Sequence, residues 1–303
     1  MALGGNPIFN GKNFRRATQA PPVPQNPYGQ QFNQGPGRVQ GQVMDGQAAW
    51  SAQQQNMTNE QLQHLYNRPS ASPADTGRMT FDDVIMKTVA CLVALVVGAG
   101  ITLFVAPGLS SGLMILGALG GFVLALVNTF KKQPSPALIL AYAGLEGLFL
   151  GGLTRVLDNM YPGVGMQAVI GTLAVFAVTL VLFRSGKVRA TPKMVRFFMI
   201  ATIGYAVFAL INLVMMWTGA VQEPFGLRSS IHIAGIPLGV FIGILAIGLA
   251  AFSLIMDFTN IEQGVRAGAP ERYSWTAAFG LTVTLVWLYV EIIRLLAILR
   301  GDD

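Results

Sequence analysis

From Thr80 onward the chain alternates long apolar runs with short polar breaks. No charged residue occurs between Lys87 and Lys131, Asp158 and Arg184, Arg196 and Glu223, Arg228 and Asp257, or Arg272 and Glu291. A helix needs roughly 20 apolar residues to cross a bilayer. The pattern therefore predicts seven spans, near 84–105, 113–130, 136–157, 166–183, 193–217, 233–257 and 273–298. The sixth has room to continue to 263, before Gly264. Asp82 and Asp83 open the first span, where a helix N-terminus favours negative charge. Ala106-Pro107-Gly108 reads as the turn after it, with Ser110 and Ser111 leading into the second span, which Lys131 and Lys132 end. The fold class is all-α: a polytopic membrane bundle of seven transmembrane helices, residues 80–303, behind an N-terminal tail, residues 1–79.

That tail is rich in Gln, Asn, Pro and Gly and has no apolar periodicity. Such a composition cannot bury enough surface to offset its ordering entropy, so disorder is expected. Residues 57–66 could form a short helix with Thr58 and Gln61 as a weak capping box. Lys12, Arg15 and Arg16 suit contact with anionic lipid. No apolar segment follows these early basic residues, so no signal peptide is expected. A spacer and a partner-docking arm are both open to the tail.

Composition agrees with a membrane chain. Hydrophobic residues make up 52% and charged residues 11%, about half the usual charged share. The net charge of +6 then belongs to loops rather than to a nucleic-acid surface. Cys91 is the single cysteine, which excludes an internal disulfide and a cysteine metal cluster. Lys and Arg concentrate after the second, fourth and sixth spans (Lys131, Lys132; Arg184 to Arg196; Arg266, Arg272). The opposite loops carry Arg155 and Arg228 alone. The positive-inside rule places the N-terminus in the cytoplasm and, with seven spans, the C-terminus outside. A cell-membrane location is expected.

Small residues at helical spacing, Ala143/Gly147/Gly151 and Gly239/Gly243, predict close helix packing. Asn128 and Asn212 suit interhelical hydrogen bonds. Three carboxylates stand out, because a charge at the bilayer centre costs about 2.5–3.5 kcal/mol on insertion scales. Asp257 lies near the end of the sixth span, where it is either a functional acid or an interfacial residue reaching headgroups. Glu291 lies eighteen uncharged residues beyond Arg272, with Arg294 at i+3 as a structural ion-pair partner. Glu146 is ten residues into the third span with no cation within a helical turn. Together they suggest a proton or cation site.

The segments MDFTNIEQGVRAGAP and AAFGLTVTLVWLYVEIIRLLAIL resemble the C-terminal signature of the Bax inhibitor-1 family, in a bacterial branch, and AYAGLEGLFLGG in the third span is similar as well. The resemblance covers about residues 80–300 and leaves the tail outside. It implies a pH-sensitive calcium leak. In that family an acid on the sixth span and one on the seventh share a proton, and their ionisation controls the pore. Asp257 in MDF matches the first position and Glu291 in LYVE the second, with Ca2+ near the pair conceivable as cargo. The family's partner arginine on the second span has no match here, Lys131 and Lys132 being nearest. Asp257 and Glu291 are 34 positions apart. That spacing implies a depth difference of up to roughly 15 Å at 1.5 Å per residue, which argues against a direct bond. Glu291 could face Glu146 or Arg155 instead.

Enzymatic function is not expected. The chain has two histidines, His64 and His232, and residues 109–112 read as a loop rather than a nucleophile motif. No cofactor motif is present, neither a glycine-rich phosphate loop nor an EF-hand pattern. The alternative to a leak is a non-conducting interaction protein that modulates a membrane protease or secretion partner.

Overall fold

The structure, a computed structural model, describes residues 77–186 and 190–301. The expected tail disorder, the 57–66 helix, the basic residues Lys12 to Arg16 and His64 lie outside the described residues. Eight helices follow in order: α1 (Phe81–Phe104), α2 (Pro107–Phe130), α3 (Pro136–Met160), α4 (Val164–Arg184), α5 (Pro192–Trp217), the single turn α6 (Leu227–Ser230), α7 (Leu238–Arg266) and α8 (Tyr273–Gly301). All but α6 are long and apolar enough to cross a membrane, which gives the seven expected spans.

Local chemistry sets the helix starts. The Thr80 hydroxyl accepts from the Asp83 amide at 3.1 Å, and Asp82 and Asp83 occupy the first turn of α1. Helices α2, α3 and α5 each begin on a proline, whose missing N–H costs nothing there. This corrects the expected turn at 106–108: α1 gives way to α2 through Val105 and Ala106 alone, and Pro107 to Gly112 are already helical. The sixth span also starts later than expected. Residues 232–237 form a small antiparallel hairpin, β1 (His232–Ile233) with β2 (Ile236–Pro237), before α7. Its two turn residues, Ala234 and Gly235, have φ of 51° and 82°, the left-handed pair a type I′ hairpin requires.

Packing divides the bundle into a tight core and a loose flank. α7 and α8 are the most enclosed helices; Leu254, Phe258 and Ile261 of α7 meet Ala277, Leu281, Leu288 and Ile292 of α8. The small-residue stripe of α3 lies directly against α1. A Cβ built on Gly147 would come within 2.9 Å of the Leu95 carbonyl carbon, and one on Gly151 within 2.7 Å of the Ala99 Cα. At that approach the Thr102 hydroxyl reaches the Leu148 carbonyl of α3 at 3.1 Å. Gly239 and Gly243 seat Ile298 and Leu295 of α8. Asn128 donates to the Leu138 carbonyl at 3.2 Å, the expected bond between helices. By contrast α5 buries only Val195 and Phe198.

The root of the tail belongs to the folded unit. Met79 is buried and its amide donates to the Ala269 carbonyl at 2.7 Å, while the Glu271 amide donates to the Gly77 carbonyl at 2.8 Å. Lys87 of α1 binds Glu271 at 2.8 Å. The boundary placed after residue 79 therefore cuts three residues that pack on the α7–α8 turn.

Candidate functional site

Glu291 sits at the centre of a buried polar cluster. It projects from α8 into a space closed by α5 and by the segment that carries α6. Its Oε2 meets Arg228 Nη1 at 3.1 Å, and its Oε1 meets Arg294 Nη1 at 2.8 Å. The Tyr205 hydroxyl of α5 donates to the same Oε1 and accepts from Arg228 Nη2 at 2.8 Å. Arg228 and Glu291 are only 3% and 2% exposed, so the pair is withdrawn from water. The guanidinium also lies over the rings of Tyr205 and Phe208, at 5.5 and 5.8 Å from their centroids.

The backbone around Arg228 is held for that contact. Asn212 of α5 accepts from the Leu227 amide at 2.7 Å and donates to the Phe225 carbonyl at 3.3 Å. Asn212 thus fastens the loop before α7, which corrects the bond to a neighbouring transmembrane helix that the sequence suggested. Arg228, expected as a solvent charge of an external loop, is folded inward because a buried carboxylate needs a paired, hydrogen-bonded cation. Arg294 is the i+3 partner the sequence predicted.

Asp257 occupies a second site. It is wholly buried, which overturns the interfacial reading, and its Oδ2 accepts from Thr284 Oγ1 of α8 at 2.7 Å. Ser253, one turn back on α7, lies 3.5 Å from the same hydroxyl. Thr284 precedes Glu291 by seven residues. At 1.5 Å per residue the two acids are therefore separated by about 10 Å of depth. They line the same helix pair without sitting side by side.

Glu146 lies level with Asp257 on another side of α8. Tyr142 meets Phe279 edge to face with centroids 5.0 Å apart, and the Thr154 hydroxyl lies 2.6 Å from that of Tyr289. These contacts place Glu146 opposite Thr282, two residues from Asp257's partner. Its carboxylate faces α2, where a Cβ on Gly121 would come within 2.9 Å of Oε1. Glu291 faces neither Glu146 nor Arg155. Arg155 instead donates to the Thr102 and Val105 carbonyls, at 3.2 and 2.6 Å, and so closes the C-terminus of α1. Lys131 and Lys132 are exposed just past the end of α2.

The chemistry of the two acid sites differs. Both Glu291 oxygens are engaged by cationic donors, an arrangement that holds a helix contact closed and does not ligate a metal ion. Asp257 accepts from a hydroxyl across the α7–α8 contact. Among the described residues no three His, Cys, Asp or Glu side chains converge as a metal site. Sequence reasoning missed Tyr205, Arg228, Ser253 and Thr284. None carries a local signal, since each takes its role from a partner on another element.

Seven apolar helices around buried acids define a multi-pass membrane protein in contact with a lipid bilayer. The family model for Bax inhibitor 1 like proteins matches residues 6–301, and the chain belongs to that family. The match begins far ahead of residue 80, so it takes in most of the tail that the resemblance left outside. No curated protein matches the chain.

Proposed function

We propose that this protein is a pH-sensitive cation leak, with calcium as cargo, working without cofactor or enzymatic step. The observation that carries the reading is Asp257: a carboxyl group with no accessible surface, bonded across α7 and α8 through Thr284. A bundle built only for packing gains nothing from an acid there, since placing a charge in hydrocarbon costs about 2.5–3.5 kcal/mol. Protonation changes the local charge by one unit where screening is weak. Glu291, two turns further along α8, belongs to the gate as its lock, with Arg228 and Arg294 holding the opposite end shut. In the oriented membrane we infer a cytoplasmic N-terminus and an external C-terminus in the cell membrane, from the loop charges.

The test is reconstitution into liposomes loaded with a calcium dye and scanned over pH. The parent is expected to pass calcium with a pH-dependent rate, and Asp257→Asn to pass it at a rate that no longer responds to pH. Equal pH responses in parent and variant would remove Asp257 from the gate. Absence of flux from both would favour the interaction protein that modulates a membrane protease or secretion partner.

A further inference from the structure

We infer that the cleft between α5 and α7 is a binding site for one anionic phospholipid. The argument begins with the looseness of α5. It touches α7 through Phe198 and Phe252, whose ring centroids are 5.4 Å apart, and through Leu249 behind them. Beside that contact the two helices leave a cavity of about 600 Å³, walled by Phe197 of α5 and by Ile244, Leu245 and Gly248 of α7. That size falls within the roughly 300–1,000 Å³ of small-molecule sites. Its walls are apolar and it opens on the face where Phe197 and Ile244 are 67% and 61% exposed. On a helix that crosses a membrane, such a face meets lipid tails.

One group in the lining is not apolar. Lys193, in the first turn of α5, stands at the rim of the cavity, at the end of a transmembrane helix where headgroups begin. Among the described residues no carboxylate pairs with it. An ammonium above an apolar cleft is complementary to a phosphate above an acyl chain, and basic pockets between transmembrane helices take anionic headgroups. Arg184 at the end of α4 and Arg196 one turn into α5 add positive charge at the same end. The occupant is thus a lipid with one chain in the cleft and its phosphate at Lys193.

Gly248 supplies the decisive variant. A Cβ built there meets no atom within 4 Å, so the backbone leaves open space at the point where a side chain would begin to fill the cleft. The experiment uses full-length protein in detergent, incubated with phosphatidylglycerol or phosphatidylcholine and weighed by native mass spectrometry. The parent is expected to retain one phosphatidylglycerol in preference to phosphatidylcholine. Lys193→Gln should reduce that preference about fivefold, the weight of one basic side chain at a lipid headgroup. Gly248→Leu should abolish retention of either lipid while the protein stays monodisperse, and Lys193→Glu should abolish retention of phosphatidylglycerol alone. Equal retention of both lipids by the parent, or undiminished retention by Gly248→Leu, would overturn the site. A dimer peak that Gly248→Leu removes would assign the cleft to a second copy of the chain and overturn it equally. Calcium flux plays no part in these readouts, so the outcome is independent of the leak reading.

Discussion

Arg228 Nη1 and Glu291 Oε2 lie 3.1 Å apart across 63 residues of sequence, and the contact ties the loop before α7 to the most enclosed helix of the bundle. Tyr205 joins both partners, so α5 is fastened by the same cluster. A charge pair this deep holds two elements in register, yet it costs desolvation on both sides.

That balance predicts an asymmetry. Arg228→Met leaves Glu291 buried with Arg294 as its one cation and Tyr205 without its second bond. Breaking a buried pair from one side costs about 3–5 kcal/mol, whereas replacing both partners by apolar groups is often neutral. Unfolding of the detergent-purified protein should show the single change as strongly destabilising and Arg228→Met with Glu291→Met as much milder. A single variant as stable as the parent would show that the pair holds nothing together.

The α1–α3 contact predicts a contrast between neighbouring glycines. Gly144 has open space where its Cβ would be, whereas Gly147 faces the Leu95 backbone. Gly144→Ala should be neutral or stabilising by about 0.5–1 kcal/mol, the usual gain of Ala over Gly inside a helix. Gly147→Ala forces two backbones apart and should lose about 1–3 kcal/mol, the range for overpacking. Thermal midpoints of the two proteins side by side decide it; the same midpoint for both would mean that α1 and α3 are not in backbone contact.

The difference between those two glycines shows what the sequence could and could not reveal. Charge-poor apolar runs mark the spans, because a bilayer tolerates so few charges that their scarcity is itself a pattern; the third span, with Glu146 and Arg155, shows it least. The stripe at 143, 147 and 151 points to close packing, and Arg294 is visible as the local partner of Glu291. Arg228 was not legible as a site residue. It sits in a polar loop, and only the fold turns it inward onto an acid 63 residues away. Nor could helical periodicity place Asp257 against Thr284, since the register of α7 on α8 is set by how Gly239 and Gly243 receive Ile298 and Leu295. The start of α2 was misread for a simpler reason: a proline marks a helix beginning as readily as a turn.

The root of the tail yields a prediction about truncation. A chain beginning at Thr76 keeps the Gly77 and Met79 backbone bonds to the α7–α8 turn, and one beginning at Thr80 loses both. It also loses Met79, 1% exposed, whose burial contributes about 1.5–3 kcal/mol. The shorter chain is expected to melt at a lower temperature than the longer. Matching melting curves would show that residues 77–79 add nothing to the bundle.

Orientation can be tested at positions the structure leaves accessible. Arg228 is a poor reporter because it is buried, but Glu223 in the same loop and Gln133 between α2 and α3 are exposed. In a Cys91→Ala background, Glu223→Cys should react with an impermeant maleimide on intact cells. Gln133→Cys should react only after permeabilisation. The reverse pattern would invert the topology that the loop charges imply.

The last expectation concerns Thr284 and rests on Asp257 being the titrating group. Thr284 Oγ1 donates a hydrogen bond to Asp257 Oδ2 and is itself approached by Ser253. Thr284→Val keeps the shape and removes the donor, so the carboxyl loses one hydrogen bond inside a closed site, a loss of about 1–3 kcal/mol. Because that bond weighs differently on the two protonation states, the midpoint of the flux–pH curve should move. Thr284→Ser restores the hydroxyl and should restore the midpoint, which a purely structural role would not require. Glu146→Gln, at the same depth but facing α2, should leave the curve where it was. If Thr284→Val and Thr284→Ser trace the parental curve while Glu146→Gln displaces it, the proton is read on the α3 side of α8, and Glu146 takes the place assigned here to Asp257.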